Sequence, residues 1–220
     1  MCNTVIFDLD GTLLNTIEDL ANACNYTLRR LEFKEHEVNE YKNFIGGGRK
    51  LLIERILPEE NRNEETMEKA ISIFDKYYSE HLVDMTKPYE GIMELLEKLT
   101  NKKYNLAVVS NKPQEFTTQV VEKYFKNTFK VVYGQRVGVA VKPNPATIYE
   151  VIEEFGVSKE NCVYVGDSDV DILTANNADI PSVGVAWGFR GQGELEEAGA
   201  DYIIEEPLEL LDVINKITKY

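Results

Sequence analysis

The sequence is short of cysteine, and the cysteines it has are spread out. Its 220 residues include three, Cys2, Cys24 and Cys162. They form no CxxC pair and their number is odd, so neither a disulfide framework nor a structural zinc site is indicated. A reducing compartment fits this pattern, and we expect a cytoplasmic protein.

Positive charge is also scarce. The chain has 24 Lys and Arg against 38 Asp and Glu, which gives a formal net charge of -14. Nucleic acid and anionic membrane surfaces repel such a chain at long range, so we expect neither as a partner. The expected partner is a small molecule. If that molecule carries phosphate, a divalent cation and a few placed lysines, arginines or backbone amides must neutralise it locally.

Long apolar runs are missing as well. The apolar stretch at residues 5–7 is interrupted at once by Asp8 and Asp10, so it is too short and too charged for a signal peptide. No later run reaches the roughly 20 residues that a membrane-spanning helix needs. The hydrophobic fraction of 43% is nevertheless enough to bury a core in a large domain that carries a smaller one.

Short apolar runs rich in β-branched residues recur along the chain and predict buried strands. Between them, apolar residues recur every three or four positions, as at 92–99 and 148–155, which predicts helices. This alternation predicts an α/β fold with a Rossmann-like parallel sheet, covered on both sides, that binds ligands at the carboxyl ends of its strands. The predicted strands are 4–9, 106–110, 130–133, 162–166, 182–185 and 201–204.

One segment breaks the alternation of strand and helix. Residues 16–85 show helical periodicity and no convincing strand, so we predict a small α-helical domain there, inserted into an α/β core made of residues 1–15 and 86–220. Thr16, with Asp19 three residues later, resembles a helix start. We refer to residues 16–85 as the helical insert.

Two carboxylates lie at the end of the first predicted strand. Asp8 and Asp10 are two residues apart, and Gly11 lets the chain turn after them. A carboxylate can attack phosphorus to give an aspartyl phosphate, and a nearby carboxyl group can protonate the leaving oxygen and then deprotonate water. Asp8 is therefore a candidate nucleophile and Asp10 a candidate general acid and base. Alone, such residues also fit a turn or a helix cap.

Three further motifs carry polar groups that suit phosphate chemistry. Ser110 and Asn111 offer a hydroxyl and an amide, Lys142 offers an ammonium beside a proline, and residues 166–171 add three carboxylates. Each motif alone is also compatible with a helix cap or a solvated charge. Together with Asp8 they supply what metal-assisted phosphoryl transfer needs, and accidental convergence becomes improbable.

The order and spacing of these motifs resemble those of the haloacid dehalogenase superfamily, specifically its phosphoglycolate-phosphatase-like branch. The resemblance extends over nearly the whole chain, and the four motifs as a set are highly specific. They are DLDGTL at 8–13, SNKP at 110–113, KPNP at 142–145 and GDSDVD at 166–171.

The resemblance implies a phosphatase in which Asp8 is the nucleophile and Asp10 the general acid and base. It further implies a Mg²⁺ ion bound by Asp8, Asp167 and the carbonyl of Asp10, with Asp171 supporting these ligands from behind. Substrate contacts are expected from Thr12, Ser110, Asn111 and Lys142.

The resemblance also explains the helical insert, which is similar to a cap that closes over the site, excludes water and helps to recognise the substrate. The glycine run at 46–48 and Arg49 form the candidate recognition loop within it. An ordinary turn between helices remains the alternative for this loop.

By resemblance, the expected activity is hydrolysis of a small phosphomonoester, with 2-phosphoglycolate as the expected substrate. A pyrophosphatase and a sugar phosphomutase share the core in related branches and remain open, although Thr12 argues against the mutase, whose members usually carry an apolar residue there. A receiver-like phospho-acceptor is the non-enzymatic alternative, but it has no need of an insert at 16–85. The sequence does not fix the oligomeric state.

Overall fold

A parallel sheet forms the centre of the fold in the computed structural model, which describes residues 2–218. The strands are β1 Thr4–Phe7, β2 Leu14–Asn15, β3 Lys87–Pro88, β4 Asn105–Pro113, β5 Val131–Gln135, β6 Cys162–Gly166, β7 Ser182–Val185 and β8 Tyr202–Ile204. Six of them form the main sheet in the order β5-β4-β1-β6-β7-β8, and all of its neighbouring pairs are parallel. The central strand is therefore β1, which ends at the DLDGTL motif.

Helices cover both faces of this sheet. Val5 and Phe7 of β1 belong to the core cluster on one face, and Ile6 between them belongs to the cluster on the other, as strand geometry requires. Helices α4, α5 and α9 pack in the first cluster, together with the helical insert, and α6 and α7 pack in the second. The helices are α1 Ile17–Arg30, α2 Arg49–Ile56, α3 Glu64–Glu80, α4 Ile92–Asn101, α5 Gln114–Tyr124, α6 Ala146–Phe155, α7 Asp169–Ala178, α8 Gln192–Glu197 and α9 Leu210–Ile217.

The helical insert contains α1, α2 and α3. Leu20, Cys24 and Leu28 form the buried stripe of α1, as their spacing predicts, and Phe74 and Tyr78 of α3 are also buried. Where the chain leaves the core and where it returns, β2 and β3 pair antiparallel. The two connections of the insert therefore run side by side, and the predicted domain boundaries fall next to this pair.

Asp19 joins the two connections of the insert. The predicted helix start is confirmed, because α1 begins at Ile17 directly after Thr16, but no side-chain cap forms there. The Asp19 carboxylate instead accepts the backbone N–H groups of Met85, at 2.9 Å, and Thr86, at 2.8 Å, and the hydroxyl of Thr86 at 2.7 Å. This carboxylate is buried, so it ties the start of the insert to its end.

The structure confirms the α/β fold and corrects several strand boundaries, since β1 ends at Phe7 and not at residue 9. The strand β4 continues to Pro113, with a shift of its register against β5 between Val109 and Pro113, so Asn111 also lies within the strand. The sequence did not reveal this continuation because polar residues replace the apolar run at that point. Within residues 2–218, no helix is both long and apolar enough to cross a membrane.

Candidate active site

The predicted site residues meet where the central strands end. Asp8 follows β1 directly, and its backbone N–H donates to the carbonyl of Val165 in β6 at 2.9 Å. Asp167 follows β6 directly, and Ser110 lies near the end of β4, the other neighbour of β1. Parallel strands end on one side of the sheet, so these side chains come together there. Lys142 reaches the same place from the loop between β5 and α6.

Lys142 is a buried ammonium that contacts two carboxylates. Its Nζ lies 2.8 Å from Asp8 Oδ1 and 2.7 Å from Asp171 Oδ1, and it donates to the hydroxyl of Tyr164 at 3.0 Å. Burial disfavours the charged amine, but Asp171 and Asp8 outweigh this effect and raise the pKa of Lys142 well above its usual value. Lys142 is therefore a permanent cation in this structure.

The ammonium of Lys142 balances the negative charge of Asp8 only in part. The approach of Nζ to Oδ1 is a charge contact without hydrogen-bond geometry, and among the described residues this buried oxygen has no hydrogen-bond partner. Burial, together with repulsion from Asp171, raises the pKa of Asp8 to about 7, although Lys142 lowers it. More positive charge is needed to hold Asp8 fully ionised near neutral pH.

Asp8, Asp167 and Asp171 form a cluster that fits a divalent cation. Each offers one carboxylate oxygen, and these atoms lie within 4.8 Å of one another. Three ionised carboxylates beside one ammonium, that of Lys142, leave two negative charges in excess. Burial, with repulsion from Asp171, raises the pKa of Asp167 well above its ordinary value. This direction is expected where the nearby positive charge does not balance the carboxylates. Hard, all-oxygen ligands of this kind suit Mg²⁺.

The position of Asp167 is fixed by the loops around it. Its Oδ2 accepts the backbone N–H of Phe189 at 2.8 Å, and its Oδ1 accepts the hydroxyl of Thr12 at 3.3 Å. Glycines make room for the side chain: a Cβ on Gly11 would lie 2.3 Å from Asp167 Oδ2, and one on Gly188 would lie 2.2 Å from Asp167 Cβ. Thr12, expected to contact substrate, is fully buried here and supports Asp167 instead.

Asp10 is paired with a lysine. Lys112 Nζ lies 2.9 Å from Asp10 Oδ1 and 3.1 Å from Oδ2, and it also donates to the hydroxyl of Tyr78 at 2.7 Å. Burial opposes the charge on Lys112, but Asp10 outweighs it and raises the pKa of this lysine. Tyr78 belongs to α3, so one lysine connects Asp10 with the helical insert. That the Asp10 carbonyl binds a metal stays a prediction.

Ser110 and Asn111 use their side chains differently. Ser110 Oγ accepts the backbone N–H of Lys112 at 3.3 Å and lines the cavity, and no described residue accepts its own O–H, which can therefore donate to a ligand there. The Asn111 amide is occupied: its Oδ1 accepts the backbone N–H of Lys142 at 2.9 Å, and its Nδ2 donates to the carbonyls of Lys142, at 3.1 Å, and Gly46, at 3.0 Å. Asn111 therefore fixes the loop that carries Lys142 and joins it to the insert.

A cavity of about 50 Å³ lies between the strand ends and the helical insert. A water molecule needs roughly 10–15 Å³ on this scale, so the cavity suits a small ligand. Arg49 lines it, as predicted, and forms an ion pair with Asp75 of α3. Arg190, from the loop after β7, also lines it and donates to the carbonyl of Ile45 in the insert at 3.0 Å. Cationic groups thus face the cavity from core and insert.

The sequence interpretation missed several residues of the site. Lys112 sits inside the SNKP motif, so its position beside Ser110 was the available signal. Tyr78 lies in the helical pattern of α3, and nothing in such a pattern distinguishes a packing tyrosine from one whose hydroxyl reaches the site. Arg190 and Tyr164 gave no local signal, since their partners lie far away in the sequence.

Known proteins resemble this chain over most of its length. Residues 5–185 match the family model described as haloacid dehalogenase-like hydrolase. A phosphoglycolate phosphatase of Aquifex aeolicus is 31% identical over 212 residues, 96% of this chain and 96% of that protein. One from Mannheimia succiniciproducens is 32% identical over 215 residues, 94% of this chain and 96% of that protein. The crystal structure of a predicted phosphoglycolate phosphatase from Haemophilus somnus matches with a TM-score of 0.90 at 28% identity, covering 96% of this chain and 97% of that one.

These matches extend over the α/β core and the helical insert alike, because they cover nearly the whole chain. They confirm the Rossmann-like fold and the expectation of a phosphatase. The chain belongs to the haloacid dehalogenase-like hydrolase family, in its phosphoglycolate-phosphatase-like branch.

Proposed function

We propose that this protein is a magnesium-dependent phosphomonoester hydrolase that forms a transient phosphoester on Asp8, with 2-phosphoglycolate as its substrate. The observation that carries this proposal is the environment of Asp8. It is a buried carboxylate with one oxygen that lacks a hydrogen-bond partner among the described residues, next to Lys142 and to the carboxylate of Asp167. A carboxylate held in this way, at the edge of a cavity, is available to attack.

The proposed reaction has two steps. A carboxylate oxygen of Asp8 bonds to phosphorus, the bond from phosphorus to the ester oxygen breaks, and the carboxyl group of Asp10 gives its proton to the leaving oxygen. Water then attacks the phosphorus of the aspartyl phosphate and gives a proton to the Asp10 carboxylate. Inorganic phosphate leaves, and the Asp8 carboxylate and the Asp10 acid are restored.

Asp8, Asp167 and the backbone carbonyl of Asp10 would hold Mg²⁺, which supplies positive charge to the transferring phosphoryl group when it is bound. Asp171 is placed to support these ligands, because both of its oxygens are already engaged. Its Oδ1 contacts Lys142 at 2.7 Å, and its Oδ2 accepts the hydroxyl of Ser168 at 2.6 Å. A carboxylate bonded in this way orients its neighbours and keeps Lys142 in place.

Phosphate oxygens would be held by the hydroxyl of Ser110 and the ammonium of Lys142, which both line the cavity. The helical insert would act as a cap that excludes water when closed. Arg49 is the proposed contact for the part of the substrate beyond the phosphate, since it lines the cavity from the insert. Its pairing with Asp75 holds the guanidinium in place.

Two observations support 2-phosphoglycolate. The cavity is small, and the curated relatives from Aquifex aeolicus and Mannheimia succiniciproducens are phosphoglycolate phosphatases. A cytoplasmic location is part of the proposal, and it is supported by three cysteines that are all unpaired and buried.

The test is kcat/KM for Mg²⁺-dependent phosphate release from 2-phosphoglycolate, measured beside pyrophosphate, sugar phosphates and nucleotides in one buffer. We expect 2-phosphoglycolate to lead by orders of magnitude. A lead for pyrophosphate would make the protein a pyrophosphatase, and isomerisation of a sugar phosphate without phosphate release would make it a mutase. Stable phosphorylation without turnover would indicate a phospho-acceptor and would overturn the proposal.

A further inference from the structure

Lys112 is a buried lysine whose ammonium joins the core to the helical insert. Its side chain is 3% exposed, and its Nζ contacts both oxygens of Asp10 and the hydroxyl of Tyr78. An ammonium has three N–H donors, and these three contacts occupy all of them. Lys112 is therefore fully committed to Asp10 and Tyr78 in this structure.

Tyr78 is held so that little besides its hydroxyl remains available for a polar contact. The residue is 1% exposed, its ring stacks on Phe74 of α3 with centroids 5.1 Å apart, and it meets the edge of Phe116 of α5 at 5.4 Å. Lys112 Nζ also lies 4.9 Å from the centre of this ring. The aromatic packing fixes the position of the Tyr78 hydroxyl, and the ammonium of Lys112 bridges this hydroxyl and the Asp10 carboxylate.

Two other contacts between the insert and the core end on backbone groups of the insert. Asn111 donates to the carbonyl of Gly46, and Arg190 donates to that of Ile45. The contact through Lys112 differs because its other partner is Asp10. A displacement of α3 removes Tyr78, one of the two partners of Lys112, and the ammonium is then free to turn away from the Asp10 carboxylate.

We propose that Lys112 is a positioning residue for Asp10, and that the hydroxyl of Tyr78 makes this positioning depend on closure of the helical insert. The inference rests on the proposed function, because it gives Asp10 the role of acid and base. With the insert closed, Lys112 holds the Asp10 carboxyl group in one orientation at the edge of the cavity. With the insert open, Asp10 loses that orientation, and the proton is no longer delivered in place to a leaving oxygen.

Stability alone is a poor reason for this arrangement. Burying an ammonium and a carboxylate costs desolvation energy that the pair only partly recovers, and an apolar pair of similar volume is often equally stable. A pair that fixes the direction of a reacting group has a different benefit, since misplacement by about 1 Å can cost roughly 100-fold in rate. The test therefore has to separate proton delivery from folding and from substrate binding.

Two substrates whose leaving groups differ in their need for a proton separate proton delivery from folding and from substrate binding. Acetyl phosphate is an acyl phosphate, whose acetate leaves without needing a proton, whereas the alkoxide that leaves 2-phosphoglycolate needs one. The two compounds are similar in size. The quantity to compare is kcat/KM, because it reports the steps up to formation of the phosphoenzyme, in which Asp10 acts as the acid. If 2-phosphoglycolate is a poor substrate, the best alkyl phosphate of the substrate panel takes its place.

The variants are Lys112→Met and Tyr78→Phe, with Tyr77→Phe as the matched control. Tyr77 is the preceding residue on α3, is half-buried and stacks on Tyr26 and His81. For the alkyl ester we expect kcat/KM to fall by roughly 100-fold in Lys112→Met and about 10-fold in Tyr78→Phe. For acetyl phosphate the loss should be under about threefold in both variants, and Tyr77→Phe should match the wild type with either substrate.

Three outcomes bear on this inference. A larger loss with the alkyl ester than with acetyl phosphate supports it. Equal losses with both substrates, or no loss, would overturn it while the wild-type enzyme still hydrolyses both substrates, so the proposed function would survive. A wild type that hydrolyses neither substrate, nor any member of the panel, would overturn this inference and the proposed function together. Circular dichroism checks that each variant folds. If Lys112→Met fails to fold, the result for Tyr78→Phe decides the test, because this variant removes one oxygen and keeps the ring packing.

Discussion

Gly188→Ala is a small change that should damage the metal site through a single contact. A Cβ at this position would lie 2.2 Å from Asp167 Cβ, 2.6 Å from Oδ2 and 2.7 Å from Cγ. Because the nearest atom is the Cβ of Asp167, rotating that side chain cannot relieve the clash, and the backbone of one loop has to move. Gly188 has no left-handed φ, so the alanine itself adds no backbone strain.

The size of the effect follows from what the moving loop carries. The next residue, Phe189, donates its backbone N–H to Asp167 Oδ2 at 2.8 Å, and a shift of either loop lengthens this bond. Losing a group that orients a metal ligand typically costs 10- to 100-fold in metal affinity. That range corresponds to about 1.4–2.7 kcal/mol of binding free energy. We expect Mg²⁺ affinity to fall by roughly this factor while the rest of the fold is retained.

The assay is a Mg²⁺ titration of phosphate release, with calorimetric titration of Mg²⁺ in the absence of substrate as an independent reading. The control is Gly193→Ala in α8, where a new Cβ would have no neighbour within 4 Å. The control should bind Mg²⁺ like the wild type. Wild-type Mg²⁺ affinity in Gly188→Ala, with an unchanged melting temperature, would refute the claim that this contact places Asp167 for a metal.

Three further predictions follow from buried charges. Asp19→Ala should lower the free energy of unfolding, measured by chemical denaturation, by on the order of 3 kcal/mol, because the buried backbone N–H and hydroxyl of Thr86 lose their acceptor. The control is Glu18→Ala at the exposed neighbouring position, which should change this free energy by under about 0.5 kcal/mol. Lys142→Met should lower kcat at least about 100-fold, since it removes the cation beside Asp8, and near wild-type turnover would contradict its role. Burial raises the pKa of Asp8 from its ordinary value of 3.8 to about 7, so between these pH values the metal-free folded state binds more protons than the unfolded state. Its free energy of unfolding therefore falls as the pH rises through this range to about 7. Mg²⁺ should therefore raise Tm more at about pH 8 than at about pH 5.5, and equal shifts would argue against binding to these carboxylates.

Much of the site could be predicted from the sequence because its residues occur in short motifs at the ends of strands. Asp8 and Asp167 each directly follow a strand with a clear apolar pattern. In a parallel sheet such ends lie on one side, so the strand pattern alone brings these residues together. The same argument placed Ser110 and Lys142 near them, and the structure has all four at the cavity.

The remaining contacts depend on how distant segments pack, and no local pattern encodes that. Lys112 is 34 residues from Tyr78 and 102 from Asp10 along the chain, yet its ammonium contacts both. Asp19 resembled a capping residue because it lies three positions after a threonine, but its partners are 66 and 67 residues away. A buried carboxylate takes the nearest unsatisfied donors, and only the tertiary structure decides which donors those are.

Chemical trapping of the phosphoenzyme is the direct test of whether Asp8 is the nucleophile. The enzyme is mixed with 2-phosphoglycolate and Mg²⁺, quenched in acid within a single turnover, and mapped by peptide mass spectrometry. Our account predicts one added phosphoryl group on the peptide that contains Asp8, and none in Asp8→Asn, which keeps the side-chain volume and should keep the fold. Turnover by the wild type without any phosphorylated Asp8, or normal turnover by Asp8→Asn, would contradict the account.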